Sequence, residues 1–130
     1  MATWPDLKQY IESKYKISDD SGNVVTMLFN FNDGRSQFVT VSYWTSNKGA
    51  EWVNVDSPVG KFTEVDIAKA VRMTEGMVCG AISAIGDFLT FRDSFPLMNL
   101  DINEFEEPLH LVTGTADELE RALTAGGDAL

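Results

Sequence analysis

The sequence predicts an α+β fold, a single domain in which one antiparallel sheet is packed with helices. The hydrophobic pattern changes between helical and alternating periods in the order α-β-β-β-α-β-β-α. The chain has 130 residues, the size of one domain, and 44% of them are hydrophobic, which is enough to bury a core. We therefore expect one domain over residues 1–124 and a disordered tail over residues 125–130.

The first predicted helix covers residues 4–15. Apolar side chains recur at spacings of three and four, at Trp4, Leu7, Ile11 and Tyr15. Thr3 stands in the N-cap position, and Asp6 follows it at the distance that a capping box requires. The polar run 18–23 predicts a solvated turn, because it lacks the spacing and the final glutamate of a calcium-binding loop.

Three alternating segments predict strands over residues 24–31, 38–44 and 51–56. Asp33-Gly34 predicts a two-residue hairpin turn, which places Phe29 opposite Phe38. Both faces of this hairpin are substantially apolar, whereas an antiparallel sheet that is wet on one side alternates more cleanly. Either helices cover both faces, or one face is kept for a partner.

A second helix and two strands follow. Thr63 and Asp66 repeat the capping pattern, so we expect a helix that runs to about Thr74. The small-residue segment 77–84 and the segment 88–97 predict two strands, which Gly86-Asp87 joins in a turn.

The last predicted helix covers residues 102–123. Its apolar residues are spaced alternately by three and four: Ile102, Phe105, Leu109, Val112, Ala116, Leu119 and Leu123. An interior proline costs about 3 kcal/mol and a glycine about 1 kcal/mol, whereas each buried apolar side chain contributes about 1.5–3 kcal/mol. We therefore expect one helix through Pro108 and Gly114, kinked near Glu104–Pro108. The alternative is a second helix that begins at Thr115.

Composition and charge exclude several classes of function. The net charge of −10 opposes binding to nucleic acid and to anionic membrane surfaces. No segment approaches the roughly 20 apolar residues of a membrane span, and the N-terminus has no basic region followed by an apolar run. Cys79 is the only cysteine, so no internal disulfide can form. We predict a cytoplasmic protein.

The side chains offer little for catalysis. His110 is the only histidine, and we expect it to be partly exposed on a helix. Cys79 falls in a predicted strand, where a free thiol commonly behaves as a small buried hydrophobe. The chain has no glycine-rich phosphate loop and no metalloprotease or serine-hydrolase motif. We predict that the protein is not an enzyme and that it has no cofactor and no metal site.

Four segments are typical of one known family by their order and spacing. They are residues 87–92 (DFLTFR), 95–97 (FPL), 100–101 (LD) and 116–120 (ADELE). With them the chain resembles the type III secretion chaperone-like fold, and within it the YbjN-like family, labelled bacterial sensory transduction regulators. The resemblance covers about residues 3–124. Pro108 and Gly114 depart from an ideal last helix.

The resemblance implies a homodimer with a curved antiparallel sheet and helices packed against it. It also implies that an extended segment of a partner protein is held along apolar grooves and sheet edges, without ATP. Because a fold does not determine a function, membership of a secretion system does not follow.

The leading hypothesis is a non-enzymatic protein-binding module, chaperone-like or regulatory, that holds an extended segment of another polypeptide on an apolar surface or a sheet edge. The candidate contacts are Phe38, Trp44 and Trp52, and strand addition at an open edge is the expected mode. The alternative is a small-ligand sensor with an apolar pocket between sheet and helices. A third hypothesis, an enzyme built on Cys79 and His110, requires these side chains to lie within hydrogen-bond reach.

Overall fold

A computed structural model describes residues 3–77 and 79–124, and it confirms the predicted α+β class. The elements in chain order are α1 (Trp4–Lys14), β1 (Ile17–Asp20), β2 (Val24–Asn30), β3 (Ser36–Thr45), β4 (Glu51–Lys61), α2 (Ile67–Met73), β5 (Ala81–Ile85), β6 (Phe88–Pro96) and α3 (Ile102–Leu123). The strands form one six-stranded sheet in the order β1-β2-β3-β4-β6-β5, and all its pairs are antiparallel. The predicted tail at residues 125–130 lies outside the described residues.

One face of the sheet, here called the core face, packs against the helices. Its fully buried side chains include Val25, Met27, Val39, Val41, Val53, Val55 and Phe91. The helices cover them with Leu7 and Ile11 from α1 and with a row from Phe105 to Leu119 on α3. α2 packs beside α3. Burial of these apolar side chains is the main source of the fold's stability.

The predicted start signals of two helices are confirmed. The Thr3 hydroxyl accepts a hydrogen bond from the Asp6 amide, and Asp101 and Glu104 form a complete capping box at the start of α3. α3 is one helix of 22 residues with Pro108 inside it, so no second helix begins at Thr115. The buried row continues on both sides of the proline, from Phe105 to Leu119.

β1 was not predicted, because residues 18–23 suggested only a solvated turn. It has four residues, pairs with β2 and contains a register shift between Ile17 and Asp19. Its aspartates have a low β-propensity and only Ile17 is partly buried, so no alternating pattern marks it.

The predicted pairing of the β2–β3 hairpin is wrong by one residue. Phe38 lies opposite Leu28 rather than Phe29, and a five-residue loop from Phe31 to Arg35 replaces the two-residue turn. Gly34 has φ of 85° at the tip of this loop, where a turn was expected. The observed register keeps the buried valines of β3 on the core face, and a slip of one residue would expose them.

Two further boundaries differ from the prediction. Asp66 rather than Thr63 caps α2, because β4 continues to Lys61 and leaves Thr63 in a loop. β5 begins only at Ala81, so Cys79 precedes the strand and is exposed, not buried as predicted.

Candidate protein-binding face

The three predicted contact residues, Phe38, Trp44 and Trp52, lie on the side of the sheet opposite the core face. This side is here called the open face. Phe38 is 39% exposed and Trp44 is 41% exposed, while Trp52 is half-buried. In residues 3–77 and 79–124, no helix packs on the open face. The sequence left open whether helices cover both faces of the sheet or only one. In the described chain they cover only one face.

Two tryptophans form one end of the open face, the tryptophan end. Trp44 of β3 pairs directly with Trp52 of β4, and their rings stack with centroids 5.9 Å apart and planes 18° apart. The Trp44 Nε1–H donates to Asn54 Oδ1 at 3.0 Å. Pro96 of β6 continues this row beside Trp52. Stacking and the hydrogen bond fix the position of the two rings, of which Trp44 is exposed and Trp52 half-buried.

The other end of the open face, the phenylalanine end, is formed by Leu28 and Phe38, which pair across β2 and β3. Phe38 precedes Trp44 by six residues on β3. At about 3.3 Å per residue, this places the two apolar ends about 20 Å apart along one strand. The structure therefore brings Trp44 and Trp52 into contact and places Phe38 at a distance from both.

A strip of polar side chains separates the two ends. It contains two rows across the sheet, one of Thr26, Thr40, Asp56 and Arg92 and one of Ser42, Asn54 and Ser94. Asp56 accepts two hydrogen bonds from Arg92, one of them 2.9 Å from Nη2 to Oδ2, and this bonding raises the pKa of Arg92. Sequence reasoning missed Arg92, although its alternation with Thr90 and Ser94 on β6 could have placed it on this face.

The charges of the open face cancel. Strand alternation and register place two carboxylates, Asp19 and Asp56, and two cations, Lys61 and Arg92, on this side of the sheet. The net charge of −10 on the whole chain therefore comes from residues outside the open face.

The two sheet edges differ in chemistry. β1 is short, carries Asp19 and Asp20 and contains a register shift, three features that discourage pairing with another chain. β5 has the sequence Ala81-Ile82-Ser83-Ala84-Ile85, with no charge and no proline, and most of its side chains are exposed. β5 is therefore the edge that can accept an added strand.

Cys79 and His110 line the same shallow depression of about 680 Å³ on the outward side of α3, with Glu106, Glu107, Pro108 and Leu111. Its surface is mostly apolar, and it lies outside the helix rather than between the sheet and the helices. No hydrogen bond joins Cys79 to His110 among the described residues; the exposed His110 ring instead lies 3.4 Å from the Tyr15 hydroxyl. Nor do the described residues contain a group of His, Cys, Asp or Glu arranged to hold a metal ion.

Glu106 joins α1 to α3. Its carboxylate accepts hydrogen bonds from the Tyr10 hydroxyl at 2.6 Å, from the Tyr15 hydroxyl and from the ammonium group of Lys14. Burial raises the pKa of Glu106, but the hydrogen bonds that it accepts outweigh burial and lower the pKa overall. Burial and the bond to Glu106 raise the pKa of Tyr15. Near neutral pH, the lowered pKa keeps Glu106 ionised and the raised pKa keeps Tyr15 protonated. Neither group changes its protonation state there, so the cluster serves to hold the helices together.

The chain matches no known family model and no curated protein. Among the described helices, none has the length and apolar character that crossing a membrane requires.

Proposed function

We propose that this chain is a non-enzymatic protein-binding module, chaperone-like or regulatory, that holds an extended segment of another polypeptide. The observation that supports this most is the open face, where Phe38, Trp44 and Trp52 are presented by a rigid sheet without a covering helix in the described chain. Large apolar side chains exposed on a folded protein, here in two patches on one face, commonly mark an interface. Strand addition at β5 provides a second mode of contact with the same partner.

The setting of this activity is also a proposal. We place the protein in the cytoplasm as a homodimer, in line with its single cysteine and with the YbjN-like resemblance of its sequence. Light scattering tests the homodimer, since a dimer has twice the chain mass of 14.4 kDa.

Affinity capture from the native cells tests the proposed function. The tagged wild type is compared with the Trp44→Ser/Trp52→Ser double variant, and bound proteins are identified by mass spectrometry. The matched control is Met98→Ser/Ile102→Ser, which removes two apolar side chains that are exposed at 76% and 50% and that lie outside the strands, in the β6–α3 loop and at the start of α3. We expect one stoichiometric polypeptide with the wild type and the control, and its loss with the double variant. An empty capture by a folded wild type, or equal capture by all three, would contradict the proposal.

The second candidate function is a small-ligand sensor, and the apolar depression beside α3 is the observation that favours it. A thermal-shift screen of metabolites against the wild type and Leu111→Asp tests it, since Leu111 lines the depression and is exposed. Saturable stabilisation of the wild type alone is the expected result. No shift across a broad set counts against a sensor.

A further inference from the structure

We propose that the open face recognises an extended, uncharged segment that carries two large apolar side chains six residues apart and that runs along β3. This inference rests on the proposed function and names the chemistry of the partner segment. It follows from three properties of the open face: the spacing of its apolar ends, the polar strip between them and the cancellation of its charges.

The spacing of the two ends determines the spacing of the anchors. Phe38 and Trp44 lie six residues apart on one strand, and a bound segment in extended conformation advances at the same rate per residue as β3. Side chains of an extended segment alternate in direction, so positions i and i+6 point to the same side. An apolar side chain at i+5 points away from the sheet. One anchor therefore contacts the tryptophan end, and the other contacts the phenylalanine end.

The polar strip favours an extended segment over a helix. An extended segment brings unpaired backbone N–H and C=O groups to the surface, whereas a helix pairs these groups internally. Ser42, Thr40 and Asn54 lie between the two apolar ends and offer hydroxyl and amide groups to a backbone that passes over them. A helix would present its apolar stripe to these polar groups and would need about 13 residues to span the same 20 Å.

The charges of the open face indicate the middle of the segment. Asp56 and Arg92 are the charged residues beside the middle of β3 and already neutralise each other, whereas Asp19 lies on the edge strand β1 and Lys61 at the end of β4. A charge at position i+2 or i+4 would therefore lose water without a free counter-charge beside it. Small polar or apolar residues suit these positions. Because the charges on the open face cancel, an uncharged segment of a different protein fits it best.

Selection from a random 12-residue peptide library displayed on phage tests the inference. The immobilised proteins are the wild type, the Trp44→Ser/Trp52→Ser double variant and the Met98→Ser/Ile102→Ser control. We expect the wild type and the control to enrich peptides with large apolar residues at i and i+6 and uncharged residues at i+2 and i+4. Enrichment that depends on the tryptophans but shows another anchor spacing overturns this inference and leaves the proposed function standing. No enrichment, or equal enrichment on the double variant, contradicts both.

Synthetic peptides then measure the spacing directly. Fluorescence anisotropy compares a selected peptide with one of identical composition whose second anchor is moved to i+5, and we expect at least tenfold weaker binding of the moved form. Phe38→Ser should weaken the original peptide and abolish the difference between the two. Equal affinities overturn the inference. Loss of binding in Ala84→Lys alone would show strand addition at β5 and also overturn the inference, because the side chain of Ala84 lies on the other side of the sheet from the open face. A dimer that only the tryptophan double variant dissociates would overturn it as well.

Discussion

Arg35 in the β2–β3 loop lies with its Nη2 3.0 Å from Oε1 of Glu120, a carboxylate on α3 that has no exposed surface. Arg35 Nε also donates to Asp117 Oδ1 at 3.0 Å. The hairpin loop is therefore joined to the far end of the last helix by a buried network of charges.

Replacing Arg35 by methionine should lower the free energy of unfolding by about 3–5 kcal/mol, because it leaves Glu120 buried without its counter-charge. Urea unfolding at neutral pH measures the loss. Arg121→Met is the control: Arg121 forms an exposed ion pair with Asp33 and lies 3.6 Å from Asp117, but it does not contact Glu120, and we expect its removal to cost less than about 1 kcal/mol. Equal costs for the two variants would show that the buried network does not stabilise the fold.

Glu106 should contribute a pH-dependent part of the stability. Its pKa is lowered in the folded protein, so its contribution is complete above the ordinary glutamate range, near pH 4.5, and is lost as pH falls through the lowered pKa. We expect the difference in unfolding free energy between the wild type and Glu106→Gln to be largest above about pH 5 and to shrink below about pH 4. Urea unfolding at a series of pH values checks this. A difference that stays constant with pH would contradict the lowered pKa.

The Trp44→Ser/Trp52→Ser double variant should remain folded. The stacked pair lies on the open face and supports no other layer, so its removal should cost about 2 kcal/mol or less. Phe105→Ala, which empties a fully buried site, should cost about 3–5 kcal/mol in the same urea experiment. If the double variant unfolds, the tryptophans belong to the core and their assignment as binding residues is wrong.

Gly80 should tolerate no side chain. Its φ is 83°, and a Cβ at this position would lie 2.4 Å from Cζ of the buried Phe91 ring. We expect Gly80→Ala to lower the melting temperature clearly, since strain in the left-handed region adds about 1–2 kcal/mol to the cost of displacing the ring. Gly34→Ala has a similar φ but open space around it, so it should show the backbone cost alone. Equal shifts in the two variants would rule out the contact with Phe91.

Local sequence patterns predicted much of this fold for a physical reason. The helical spacing from Phe105 to Leu119 and the capping residues at Thr3 and Asp101 act within a few residues, so the sequence displays them directly. Alternation along β3 and β4 likewise separated the side of Trp44 and Trp52 from the buried valines.

The sequence by itself determined the α+β class and most of its elements. Tertiary structure decided that Phe38, Trp44 and Trp52 share one side of the sheet and that this side has no helix over it in the described chain. It further decided that Trp44 stacks on Trp52 while Phe38 lies about 20 Å away, and that Arg35 meets Glu120. It also decided the pairing of the weak strand β1 and the register of Phe38 with Leu28. These features depend on contacts between residues distant in the chain, which no local period or propensity encodes.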